Sequence, residues 1–159
     1  MENGKVYVNS GTLYLYNHKI SLGDEYKSTI QDLANYICST KYLENGSVKS
    51  LVIELNETKI YGINCSTYLY FQDQKLFKIK LDLHLDIKSE ISKEEYQSKL
   101  DQNARVFKSQ VLQQYFSMYD STVNQKDSTF KIKNNDYCFY TLFPKNGNNL
   151  ICNAIIKSH

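Results

Sequence analysis

The chain has 159 residues, 42% of them hydrophobic and 23% charged, and its 19 Lys+Arg against 17 Asp+Glu leave a formal charge of +2. That is enough chain for one domain with its own core, and the balance excludes a disordered polyion, an acidic metal store and a uniformly basic nucleic-acid binder. Arg105 is the sole arginine, so the planar fork that reads phosphates and base edges is nearly missing, which argues further against a nucleic-acid partner.

In chain order, Val6-Tyr7-Val8 and Thr12 to Tyr16 flank Asn9-Ser10-Gly11 as a hairpin, and Asn17-His18 turns toward Lys19 to Leu22. Leu13 and Leu15 face one way, with Thr12, Tyr14 and Tyr16 on the other. Gly23-Asp24 opens a helix whose apolar stripe, Tyr26, Ile30, Leu33 and Ile37, fades after Cys38. Asn45-Gly46 marks a turn. From Val48 the period becomes two, giving strands over Leu51 to Leu55, Lys59 to Ile63, Ser66 to Phe71 and Leu76 to Ile87, with a tight turn at Asn56-Glu57 and a joint at Gln72-Asp73-Gln74. Such short joints imply an antiparallel meander.

Ser92 followed by Glu95 fits a capping box, and Ile91 with Tyr96 a hydrophobic staple. The stripe Tyr96, Leu100, Ala104, Phe107, Val111, Tyr115, Met118 then predicts a helix of roughly 40 Å. Val106, Leu112, Phe116 and Tyr119 widen its apolar arc beyond what one sheet contact needs, which the rest of the chain or a homodimer contact would cover. Thr129 to Lys133, Asp136 to Phe143 and Leu150 to Lys157 read as closing strands. The expected fold is a single α+β domain, a curved and mainly antiparallel sheet carrying one short and one long helix, in the order ββ(β)-α-ββββ-α-βββ.

The centre of LFKIKLDLHLDIK places His84 between Asp82 and Asp86. Alternation gives one apolar face, Phe77, Ile79, Leu81, Leu83, Leu85 and Ile87, and one polar face, Lys78, Lys80, Asp82, His84, Asp86 and Lys88. Neighbouring Cα atoms along that polar row stand roughly 6–7 Å apart, too far for one metal without ligands from another strand. The charges alternate without an apolar wall to desolvate them, so the row reads as a solvated sheet face. No phosphate cradle, zinc motif or nucleophile elbow occurs in the chain. Cys38, Cys65, Cys138 and Cys152 have no paired metal-ligand spacing; they read as buried free thiols, with two disulfides the alternative for a secreted chain. No metal, cofactor or catalytic set is expected.

The N-terminus, MENGKVYVNS, has no apolar core of signal-peptide length, and no stretch reaches the ~18–20 apolar residues of a membrane span, so the expected location is cytosolic. Tyrosine is in excess, with 14 copies. Tyr14, Tyr16, Tyr68 and Tyr70 fall on the outer sides of their strands, where they serve cross-strand pairing or a protein-binding surface.

The segment HKISLGDEYKSTIQDL, His18 to Leu33, resembles the strand–Leu-Gly-acidic–helix entry of several small bacterial proteins. With its size and its skew toward Lys, Asn, Ile and Tyr, the chain looks like a cytosolic immunity protein. That resemblance implies stoichiometric blockade of a cognate toxin through a surface, and carries no residue roles with it. On this reading Asp82, His84, Asp86, Glu54 and Glu57 join the tyrosines as partner-contact residues, the acids facing a basic toxin domain. The competing expectation is a ligand- or lipid-binding cup in which the long helix closes over the sheet, lined by Phe107, Val111 and Tyr115.

Overall fold

The structure, a computed structural model, describes residues 3–7, 12–85, 92–112, 130–133, 137–142 and 152–158. Its first three strands, β1 (Asn3–Tyr7), β2 (Thr12–Leu15) and β3 (His18–Ser21), form an antiparallel ribbon with Leu13 and Leu15 buried as their alternation requires. The turn lies one residue earlier than expected: Tyr16 and Asn17 both have positive φ (52° and 62°), and His18 opens β3 opposite Leu15. Positive φ at both central residues makes the turn whose twist matches the flanking strands.

Helix α1 (Tyr26–Leu33) is shorter than its stripe. One 3-10 turn, Ala34–Tyr36, leads into β4 (Ile37–Asn45), which the sequence reading did not anticipate. Ile37 fits the helical rhythm, but the run Ile37-Cys38-Ser39-Thr40 is rich in side chains that favour a pleated strand, and pairing with β5 (Val48–Leu55) decides it. Five strands therefore separate the two helices among the described residues, where four were expected.

The expected meander is also rearranged. β6 (Thr58–Ile60) and β7 (Ile63–Gln72) join at Tyr61-Gly62, inside what read as one strand. β5 does not pair with β6: the two lie end to end along one edge of β7, β6 against Ile63 to Cys65 and β5 against Tyr68 to Gln72. β8 (Lys75–His84) takes the other edge of β7. After α2 (Lys93–Leu112), β11 (Cys152–Ser158) pairs with β8, and β10 (Tyr137–Leu142) and β9 (Phe130–Lys133) follow outward. The order is β3-β2-β1-β6-β7-β8-β11-β10-β9, with the β4–β5 hairpin attached to β7; β1 and β6 run parallel and the other pairs antiparallel.

Both helices contribute to one core on one face. Leu33 of α1 and Ala104 and Phe107 of α2 cluster with Leu69 of β7, Ile79, Leu81 and Leu83 of β8, and Ile156 of β11. The predicted α2 stripe is buried at Leu100, Ala104 and Phe107, and Ser92 Oγ accepts the Glu95 N–H at 3.1 Å as the capping box requires. Beyond Leu112 the expected helix lies outside the described residues, as do Ile91, Tyr115, Phe116, Met118 and Tyr119. The junction before α1 is stitched to the start of β8 by Gly23 N–H to Leu76 O, Leu76 N–H to Asp24 O and Tyr26 N–H to Gln74 O, at 2.7 to 2.8 Å.

Candidate functional site

Strands are two-sided, so covering one face with helices leaves a second face to account for. On β7 that face carries Asn64, Ser66, Tyr68, Tyr70 and Gln72, all half-buried, between buried Ile63, Cys65, Thr67, Leu69 and Phe71. On β8 the expected unbroken alternation fails at one place. Tyr70 pairs with Lys78 while Phe71 pairs with Leu76, so Phe77 is an extra residue, a bulge. Leu76 is therefore inside, and Phe77 joins the outer face, its ring edge-on to Tyr70 at 6.4 Å.

Register builds this face into rows. One runs Ser39, Glu54, Tyr68, Lys80, Ile155, Tyr140, Lys131 across β4, β5, β7, β8, β11, β10 and β9. The next runs Lys41, Val52, Tyr70, Lys78, Lys157, Cys138, Lys133. Tyrosine thus stands opposite lysine on β7 and β8. Lys78 Nζ sits 4.0 Å from the Tyr70 ring centroid and Lys80 Nζ 5.1 Å from that of Tyr68, both cation–π contacts. Tyr14 on β2, next to the edge strand β3, likewise stands in register between Lys5 and Lys19.

The acids of this face behave differently. Glu54 accepts from Ser39 Oγ at 2.9 Å and, at a long 3.5 Å, from Tyr68 Oη. Burial, reinforced by the Glu54 and Asp82 charges, raises the Tyr68 pKa and keeps its hydroxyl a donor. Asp82 is only 7% exposed, which corrects the expectation of a solvated carboxylate. Its Oδ1 has no hydrogen-bond donor among the described residues, with Lys80 Nζ at 3.7 Å. Desolvation pushes its pKa up, against the lowering pull of Lys80. The sequence carries no signal for this, because the covering comes from strand order: Asp82 lies between Ser66 and Asn153.

His84 is half-buried, with Nε2 3.4 Å from Ser66 Oγ and 3.5 Å from Glu57 Oε1. Serine and acid meet the same ring nitrogen. A relay needs the acid on one nitrogen and the nucleophile on the other, so this trio has no triad geometry. Among the described residues no three His, Cys, Asp or Glu gather to hold a metal ion, and no helix is long and apolar enough to cross a membrane.

The predicted contact residues therefore separate. Glu54, Tyr68, Tyr70, Asp82 and His84 share the outer face, with Glu57 joined through His84. Tyr14 is exposed on β2, away from them, and Asp86 lies outside the described residues. Tyr16 is engaged within the molecule: its ring stacks on Tyr36 at 4.0 Å and its hydroxyl donates to Asn56 O. Cys65 is buried as expected, whereas Cys38 is exposed, because it stands on β4 rather than in a helix stripe.

Of the proposed cup, Phe107 is fully buried and edge-on to the Tyr61 ring at 5.8 Å, filling space rather than lining it; the Val111 side chain and Tyr115 lie outside the described residues. An open groove of about 390 Å³ runs instead between β3 and α1, lined by His18, Lys19, Asp24, Glu25, Ser28 and Asp32 among others. One Asp24 oxygen there already accepts the Ser21 N–H at 2.8 Å.

Comparison with family models, with curated proteins and with solved structures finds no match to this chain. The functional reading rests on the chemistry of the face itself.

Proposed function

We propose that the protein is a non-enzymatic binding module, an immunity protein that neutralises a cognate bacterial toxin by stoichiometric engagement of its outer sheet face. The observation that carries the reading is the tyrosine–lysine pairing of that face: Tyr68 with Lys80 and Tyr70 with Lys78, on the side opposite the helices. Tyrosine offers large contact area and a hydroxyl at low entropic cost, and a lysine held over its ring is partly ordered before a partner arrives. The rings' faces carry ammonium groups, which suits an anionic protein surface better than stacked bases.

This reading takes a partner of the opposite sign to the basic one expected from the acids, on the exposure of the face's charges. Asp82 is buried beside Lys80 and Glu54 is half-buried with Ser39 donating to it, whereas Lys41 and Lys75 of this face are exposed, and that exposed positive charge is what a partner meets in this reading. The toxin domain in this reading presents an acidic surface. The test is co-expression with a toxin domain encoded beside this gene in its native genome. Wild type restores growth and co-purifies one to one, whereas Lys78→Glu/Lys80→Glu slows association by roughly tenfold or more and loses protection. A neighbouring toxin that is neither bound nor neutralised removes the immunity reading.

A further inference from the structure

We propose that β4 is a strand-addition site that takes an extended, acidic segment of a protein partner. The proposal rests on the protein-binding reading above and adds its mode and the charge of what is bound.

Among the described residues β4 pairs on one side only, with β5, and is the free end of its branch of the sheet. Cys38, Thr40, Lys41, Tyr42, Leu43 and Glu44 are all exposed, Tyr42 at 57% and Leu43 at 46%. The pair Asn45↔Val48 closes a two-residue turn, where the closing residues exchange backbone hydrogen bonds. Counting back by alternation, Leu43 and Lys41 bond to β5, and the N–H and C=O groups of Glu44, Tyr42 and Thr40 point away from it. Among the described residues this nine-residue strand thus has an unpaired ladder on its outer edge, which is the template for adding another strand.

Charge selects the occupant. Lys41 stands opposite Val52 in the row of Tyr70 and Lys78, on the outer face, and no carboxylate of β5 is across from it. Glu44 stands opposite Lys49, and Glu54 is engaged by Ser39. Of the charges on β4, only Lys41 therefore falls on the outer face, in the row of Lys78, with Glu44 alternating to the other side of the strand. A second copy of β4 gains nothing comparable. Antiparallel self-pairings that bring the outward groups together set Lys41 opposite Ser39, Leu43, Asn45 or another Lys41, with no ion pair formed.

The experiment uses the full chain with three labelled probes: a short peptide alternating glutamate with valine, its lysine counterpart, and oligouridylate. Binding is read by fluorescence anisotropy and by amide hydrogen exchange. The acidic peptide is expected to bind and to protect the amides of Thr40, Tyr42 and Glu44, which point away from β5, relative to the unbound chain. Thr40→Pro and Tyr42→Pro each remove an outward N–H and leave the ladder to β5 intact, so each weakens the peptide about tenfold or more with β5 amide protection unchanged. Lys41→Glu, which needs no backbone adjustment, shifts preference to the lysine peptide and keeps the proposal falsifiable if a proline variant does not fold.

Equal binding by the proline variants, protection elsewhere, a preference for oligouridylate, no binding of the acidic peptide, or a concentration-dependent dimer abolished by Tyr42→Pro would each overturn it. Peptide capture at β4 with no toxin neutralised removes the immunity reading alone. Neutralisation that survives Thr40→Pro and Tyr42→Pro removes this proposal alone.

Discussion

Two tyrosines occupy backbone positions that L-residues seldom take. Tyr16 (φ 52°) and Tyr61 (φ 53°) each open a two-residue turn, where glycine or asparagine is the usual solution. Each ring then makes a contact that glycine has no side chain to make: Tyr16 on Tyr36, and Tyr61 bridging Val6, whose N–H it accepts and whose C=O it donates to, both at 3.1 Å. Tyr61→Phe keeps the ring against Phe107 and removes the bridge, so it costs about 1–2 kcal/mol in denaturant unfolding with the m-value unchanged. Asp82 predicts the opposite sign. Its folded pKa is raised, so the native state holds the proton more tightly than the unfolded chain does. Its neutral form is not penalised below the ordinary carboxylate range, and stability declines as pH rises through the raised pKa. Asp82→Asn is therefore expected to raise Tm at pH 7, at roughly 2–4 °C per kcal/mol, with the gain vanishing in a thermal series carried down to pH ~3. Asp82 was legible as a charge on a sheet face; that it is desolvated was not, since its covering comes from strands distant in the chain.

At the scale of elements, local chemistry decides some boundaries and pairing decides others. The capping box of α2 was readable from Ser92 and Glu95 alone, because all its bonds lie within one turn. Ser92→Ala is expected to cost about 1 kcal/mol, read as lower α2 amide protection and a small fall in Tm. The β7–β8 turn, Asp73-Gln74, has positive φ at both residues (51° and 66°). Gln74→Gly relieves the second of these, and the Gln74 carbonyl still accepts from Tyr26, so a gain of about 0.5–1 kcal/mol in chemical denaturation is expected. At α1, by contrast, Ile37 satisfied a helix rhythm and a strand composition equally, and β5 broke the tie. At Phe77 the adjacent apolar pair Leu76-Phe77 marks a break in alternation, but which of the two turns inward is decided only by the partner strand, where Phe71 meets Leu76.

Over the whole molecule, the sheet sorts a nearly neutral chain into two unlike faces. One holds the apolar cluster under α1 and α2, and Phe107→Ala there is expected to cost about 3–5 kcal/mol in an equilibrium unfolding series. The other collects lysines from strands far apart in sequence, Lys41, Lys75, Lys78 and Lys80, with Lys131, Lys133 and Lys157 in register beside them. A net charge of +2 concealed this, because a sum over the chain carries no direction. Sequence by itself determined the α+β class, the buried stripe of α2, the cap at Ser92 and the inward sides of β2, β7 and most of β8, since each depends on neighbours within a few residues along the chain. Only the tertiary structure decided that β5 and β6 share one edge of β7, that Asp82 is dry, and that tyrosines meet lysines across a common face. Those facts are matters of strand order and register, and register is set by backbone bonds between segments whose separation along the chain no periodicity records.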